Sequence, residues 1–176
     1  MDDFVKKLIK GDEKAFERLV RENQNKIYAV CMNMLKNPHD AQDAAQDTFL
    51  KAYRNIRAFK SESKIETWLT RIAVNTCLDV LRSRRDTVDI DEQYDLAGAD
   101  TPETELEKND RRQAVRKALQ AMPPDMRSII ILRDINGYSY EEVGEMLNLN
   151  IGTVRSRLSR AREKLKKILL ENRELF

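Results

Sequence analysis

Glycine and proline are scarce in this chain of 176 residues, at 5 and 4, about half the usual share of each. That scarcity excludes a collagen-like, low-complexity or turn-rich all-β chain. His39 is the only histidine, and the two cysteines, Cys31 and Cys77, stand 46 residues apart with no CxxC partner. A zinc site or a Cys/His nucleophile pair is therefore not expected, and both thiols read as buried and free. There is no His/Cys/Asp constellation, P-loop or glycine-rich phosphate loop. The chain is accordingly not expected to be an enzyme, and no metal or cofactor is expected. No apolar run approaches the ~18 residues that a membrane-crossing helix needs. The opening residues, MDDFVKKLIKGD, lack the apolar centre of a signal peptide and read as cytoplasmic.

Charge is what the chain has in abundance. Charged residues make up 35% and apolar residues 41%, with a net charge of +2. That balance suits a soluble helical protein of one or two domains, each with a modest core. The charge is unevenly spread. Residues 1–85 hold 17 basic and 12 acidic residues, residues 86–110 hold 1 and 10, and residues 111–176 hold 14 and 8. The nets are +5, −9 and +6, so two basic blocks flank an acidic segment, as in two domains and a linker.

Helical periodicity runs through both blocks. Asp12 is placed to cap a helix through Phe16, Leu19, Val20, Ile27, Val30 and Met34. Asn37-Pro38 stops it, and Asp40 is placed to cap the next helix, whose apolar face is Ala41, Ala45, Thr48, Phe49, Ala52, Tyr53 and Ile56. Ser63 and Glu66 have the spacing of a capping box. The helix that follows runs through Ile65, Trp68, Leu69 and Ile72 to about Arg85. Residues 86–100 show no period and read as a mobile linker. Thr101-Pro102 has the form of a helix start, and Val115, Ala118, Leu119 and Met122 continue that helix to Pro123-Pro124. Asp125 begins another, in which Ile129 to Leu132 is read as buried helix rather than strand.

The most informative stretch is SYEEVGEMLNLNIGTVRSRLSRAREKLKK, residues 139–167. Ser139 and Glu142 form a second capping-box pattern, Gly144 suits a close helix–helix approach, and Asn148-Leu149-Asn150 is a turn. Ile151, Val154, Leu158, Ala161, Leu165 and Ile168 then recur at steps of 3 and 4. This is the layout of a helix-turn-helix, whose second helix enters the DNA major groove. At ~100° per residue, Arg155, Ser156, Ser159 and Arg160 point away from that stripe and are candidates for base edges. Arg157, Arg162 and Lys164 flank it and suit phosphates.

In the first block, Lys64, Arg71, Asn75 and Arg82 fall within ~40° of one another around a helix, with Trp68 bordering that face. A basic face with an aromatic edge holds a nucleic-acid backbone and stacks a base. A solvated surface with Trp68 in the core fits the spacing equally well. Gln42, Asp43, Gln46 and Asp47 form a polar face beside Ala44 and Ala45, open to a docking role or to plain solvation.

Taken together, DAQDAAQDTFLKAYRNIRAF (40–59), TWLTRIAVNTCLDVLRSRR (67–85) and GYSYEEVGEMLNLNIGTVRSRLSRAREKL (137–165) resemble the bacterial extracytoplasmic-function (ECF, group IV) sigma factors of the sigma-70 family. The resemblance covers nearly the whole chain outside the linker. It implies an all-α fold of two helical domains: a sigma-2-like bundle over 1–85, an acidic linker over 86–101 and a sigma-4-like helix-turn-helix domain over 102–176. It implies that the chain directs promoter-specific initiation by core RNA polymerase, docking on its β′ clamp helices and β subunit. Asp43, Gln46, Asp47 and Phe49 match the β′-docking segment. Phe59, Lys60, Ser61, Ser63, Lys64, Trp68, Arg71, Asn75 and Arg82 match the −10 recognition and melting surface. Arg133, Thr153, Arg155, Ser156, Arg157, Ser159, Arg160 and Arg162 match the −35 reading surface. Ser159 stands where a larger side chain is frequent and Asn150 where proline is frequent, so the −35 sequence does not carry over. A soluble or membrane-anchored anti-sigma factor is a further partner that the resemblance implies, without membrane insertion of the chain itself.

The linker length agrees. Sixteen residues, 86–101, reach at most about 55 Å, and about 16 base pairs between two promoter elements also span about 55 Å. The rival reading is a dimeric helix-turn-helix regulator that binds palindromic duplex without polymerase.

Overall fold

The computed structural model describes residues 2–35, 37–87 and 106–173, and every regular element among them is helical. In chain order these are α1 (Asp3–Ile9), α2 (Glu13–Met34), α3 (Pro38–Asn55), a single 3₁₀ turn (Ile56–Ala58), α4 (Ile65–Thr87), α5 (Leu106–Gln120), α6 (Pro124–Ile130), α7 (Tyr140–Leu147) and α8 (Ile151–Arg173). Helix α6 runs on without a break into a π-helical turn, Ile131–Ile135.

Local chemistry sets the helix ends. The Asp12 carboxylate accepts the Ala15 N–H and starts α2 as expected. At α3 the cap is Asn37, which accepts the His39 N–H, with Pro38 at the first helical position. Asp40 therefore lies inside the first turn and not at the cap. The box predicted from Ser63 and Glu66 is also out of step. Helix α4 begins at Ile65, and the Lys64 carbonyl accepts the Trp68 N–H. The Ser139–Glu142 box does form, with Glu142 N–H on Ser139 Oγ at 3.1 Å and Ser139 N–H on Glu142 Oε2 at 2.9 Å. Residues 88–101 of the predicted linker, with the Thr101-Pro102 start, lie outside the described residues.

Helices α2, α3 and α4 pack together as a bundle, with α1 and the 3₁₀ turn closing one end over Leu8, Leu19, Ile56, Phe59 and Ile65. Helices α5 to α8 make a second unit in which α8 lies against α5, α6 and α7. The Ile129–Leu132 run is fully buried helix, as the sequence indicates.

The two units are not apart. One continuous apolar cluster joins Ile27, Val30, Met34 and Leu69 of the first to Ile129, Ile131, Val143 and Leu158 of the second. Helix α2 touches α5, α6 and the π turn, and α4 touches α6 and α7. Arg127 sits at this junction, 3% exposed. Its guanidinium donates to the carbonyls of Leu119, Gln120 and Met122 at the end of α5, and to that of Met34 at the end of α2. It thereby adds a donor to carbonyls at helix C-termini, where intrahelical partners run out.

Candidate nucleic-acid and polymerase-binding surfaces

Surface cations matter for DNA only if the fold presents them together, so the helix-turn-helix geometry comes first. Helix α7 ends at Asn148, which takes the left-handed conformation (φ 53°, ψ 51°) that Asn tolerates better than most residues. Gly144 is required by the turn rather than by a neighbouring helix. A Cβ there would lie 2.6 Å from the Leu149 carbonyl oxygen, and the Leu149 N–H closes onto the Gly144 carbonyl at 2.8 Å. Asn150 then caps α8 by accepting the Thr153 N–H at 2.8 Å. Val154, Leu158, Ala161 and Ile168 are buried, Leu165 is half-buried, and Ile151 at the head of the stripe is exposed.

The opposite face of α8 carries Arg155, Ser156, Arg157, Ser159 and Arg160, all exposed, with Thr153 half-buried at its start. Ser156 Oγ donates back to the Thr153 carbonyl at 3.1 Å. Besides Arg155, whose guanidinium lies 5.7 Å from the centre of the Tyr140 ring, two of the expected −35 cations are hydrogen-bonded within the protein. Arg162 is gripped by Asp134 through bonds of 3.0 and 2.6 Å, which raise its pKa. Arg133 donates to the Tyr138 carbonyl at 2.8 Å and lies over the Tyr140 ring.

On α4, Asn75 is exposed and Arg82 pairs with Asp79 within its own helix at 3.5 Å. Trp68 is half-buried and packs on Phe59 with ring centroids 5.3 Å apart. Trp68 thus packs on the core and also edges a cleft. That cleft, about 220 Å³, is lined by Phe59, Lys60, Ser63, Trp68 and Arg71, and by Glu145 from α7. Phe59 itself is a core residue, so it supports the cleft from behind. Lys60 and Lys64 are exposed, and Ser61 (φ 57°) turns the loop between them.

The rim of this cleft meets the helix-turn-helix. The Thr67 hydroxyl donates to Glu142 Oε1 at 3.2 Å, Thr70 Oγ1 and the Tyr138 hydroxyl are 2.8 Å apart, and Arg71 lies 3.7 Å from Glu145. Lys26 of α2 sits over the Tyr138 ring at 5.0 Å. The Ser139 N–H, with the Thr67 and Ser139 hydroxyls and nearby Lys64, pulls the Glu142 pKa below the usual carboxylate range. Sequence reasoning missed Thr67, Thr70, Tyr138 and Glu145, because no local spacing links residues about 70 positions apart.

On α3, Asp43, Gln46 and Asp47 are exposed and Phe49 is half-buried. Ala44 is buried in the core and Ala45, half-buried, packs against it. Leu50, 53% exposed, and Tyr53, 49% exposed, add apolar surface beside the acids. Cys31 and Cys77 are both free and buried, and the Cys31 thiol together with burial pushes Cys77 upward, so Cys77 is not a poised nucleophile. Among the described residues no group of His, Cys, Asp and Glu is placed to hold a metal, and no helix is long and apolar enough to cross a membrane.

Comparison with known proteins gives a consistent result. Residues 19–87 match sigma-70 region 2 and residues 112–165 match sigma-70 region 4. The chain is 38% identical over 170 residues to the ECF RNA polymerase sigma-E factor of Haemophilus influenzae, covering 90% of this chain and 89% of that protein. Among solved structures it is similar to the sigma factor RpoE in its co-crystal with the anti-sigma factor NepR from Bartonella quintana. That match has a TM-score of 0.70 at 30% identity and covers 89% of this chain and 97% of the other. CnrH in complex with the cytosolic domain of CnrY gives a TM-score of 0.70 at 26% identity, covering 94% of each chain.

Proposed function

The chain belongs to the extracytoplasmic-function sigma factors of bacterial RNA polymerase, and from that premise we propose how its surfaces divide the work. As a sigma factor it binds core RNA polymerase and promoter DNA through its region 2 and region 4 units. It is not an enzyme; the polymerase supplies the chemistry.

In our reading α8 lies in the major groove of the −35 element. Arg155 and Arg160 reach base edges, with Ser156 and Ser159 between them, and Thr153 and Arg157 take backbone contacts. The observation that carries this is the capped, left-handed turn, which fixes α8 so that its buried stripe faces inward and this basic face outward. Arg133 and Arg162 belong to the same surface in a supporting capacity, since each already spends hydrogen-bond donors within the protein. The cleft between Phe59–Ser63 and Trp68 receives an unstacked base of the −10 element. Lys60, Lys64 and Arg71 neutralise its backbone, with Asn75 and Arg82 further along α4. Expelling a base from the stack costs a few kcal/mol, which polymerase and −35 contacts offset. Asp43, Gln46, Asp47 and Phe49, with Leu50, dock α3 on the β′ clamp helices.

The −10 side of α4 is partly covered here, while the basic face of α8 is open. Glu142 and Glu145 of α7 lie against Thr67 and Arg71 of α4, where promoter DNA belongs in this reading. The two units must therefore part before both elements are read. Of the solved structures named above, RpoE is in complex with the anti-sigma factor NepR and CnrH with the cytosolic domain of CnrY. That supports an anti-sigma factor, soluble or membrane-anchored, that holds this chain closed in the cytoplasm. The test of function is run-off transcription with core polymerase on genomic fragments. Discrete start sites sharing two spaced elements are expected; failure of the folded chain to bind core polymerase would overturn the reading.

A further inference from the structure

Two arginines that belong to different elements meet on a single ring. Arg133, from the π turn after α6, has its guanidinium carbon 4.8 Å from the centre of the Tyr140 ring. Arg155, in the second turn of α8, has its own at 5.7 Å from the same ring. Both lie within the ~6 Å over which a cation is attracted to an aromatic face. Tyr140 is the first residue of α7, just after the capping-box serine. Its backbone is thus anchored by the cap, and its half-buried ring packs on the core that the helix-turn-helix shares. Arg133 is held from behind by the Tyr138 carbonyl at 2.8 Å, so one face of the arrangement is fixed before DNA arrives.

Arginine carries much rotamer freedom on a surface helix, and ordering it at an interface costs binding energy. A guanidinium already resting on a fixed ring has less freedom to lose. The electron-rich ring attracts each of the two like charges and so draws both to one place. The neighbouring pair of Arg162 and Asp134 presents a cation beside the same tyrosine.

We propose that Tyr140 is a positioning residue for −35 recognition, its ring holding Arg155 of α8 in register with Arg133 so that Arg155 addresses one defined base pair. This rests on the assignment of α8 to the −35 element. Tyr140 acts through the arginines and not by reading a base.

The test uses holoenzyme reconstituted from core polymerase and the full chain, binding −35 duplexes that differ at one base pair at a time. Arg155→Ala locates the base pair whose preference it relaxes. Tyr140→Leu, which keeps apolar bulk but removes the ring, is expected to relax the same base pair by about tenfold, the scale of losing a well-placed base contact. Affinity for unrelated duplex should change less than twofold. Tyr140→Phe keeps the ring and is expected to keep the discrimination. Adding Tyr140→Leu to Arg155→Ala is expected to cost no further discrimination. Where the leucine variant does not fold, Tyr140→Met takes its place. Unchanged discrimination in the folded leucine or methionine variant, equal loss in Tyr140→Phe, or full additivity in the double variant overturns the inference while leaving the −35 assignment standing. An Arg155→Ala that relaxes no base pair overturns the assignment and the inference together.

Discussion

Arg127 and Glu142 show how far a single side chain departs from its reading in the sequence. In the sequence Arg127 is one of 14 basic residues in a +6 segment, and nothing marks it as different from Arg157. In the fold it is buried, and its partners are four backbone carbonyls, one of them 93 residues away. Sequence spacing is silent on such bonds because carbonyls are present at every position. Replacing it by leucine removes the guanidinium donors from these buried acceptors, of which only the Leu119 carbonyl is shown with a further backbone donor, so Arg127→Leu should lower unfolding free energy by about 3 kcal/mol. Arg127→Lys should recover only part of it, lacking the planar fork. Urea denaturation measures both, and a loss below about 1 kcal/mol would contradict the capping role. Glu142 was legible as a cap but not as a bridge between the units. Its pKa is lowered, chiefly by the Ser139 N–H. A lowered carboxylate adds stability that is present above its unfolded value, about 4.3, and is lost as pH falls through the folded value. Thermal melting should therefore show the wild type losing stability faster than Glu142→Gln below about pH 4.3; parallel curves would remove the carboxylate from the account.

Helices α4 and α8 were legible as elements because their apolar stripes recur at helical spacing, and the Ser139–Glu142 box announced α7 outright. The misreadings sit at helix ends. Asn37 outcompetes Asp40 as the cap because Pro38 fixes the first helical turn one position behind it. The Ser63–Glu66 pair fails because α4 starts at Ile65, so Ser63 is a loop residue. Ile151 continues the stripe in sequence but stands at the first position of α8, beyond the core it points toward. In the proposed reading α4 acts through its exposed face. Asn75→Ala removes an exposed amide with no part in the core. It should weaken open-complex formation about tenfold or more, on the scale of one lost specific contact, while leaving −35 duplex binding unchanged. Permanganate footprinting of the melted region alongside −35 duplex binding separates the two; equal loss of both would remove α4 from −10 recognition.

At the scale of the molecule, the net charge of +2 conceals two basic units, packed so that α7 of the second lies against α4 of the first while the basic face of α8 stays exposed. Periodicity and charge made the two units and their order legible. The way they pack was not legible, because it depends on contacts such as Thr70 with Tyr138 and Arg71 with Glu145 that no local pattern encodes. The central claim is that this sigma factor reads its promoter only after α4 and α7 part. Thr67→Cys with Glu142→Cys places two thiols where the wild-type side chains are in contact, while native Cys31 and Cys77 stay buried. The deciding measurement is run-off transcription with core polymerase, before and after these thiols are joined by a short cross-linker. The account predicts promoter-specific transcripts from the unlinked protein and loss of them on linking. Full activity of the linked protein, or no transcript from either form, would contradict it.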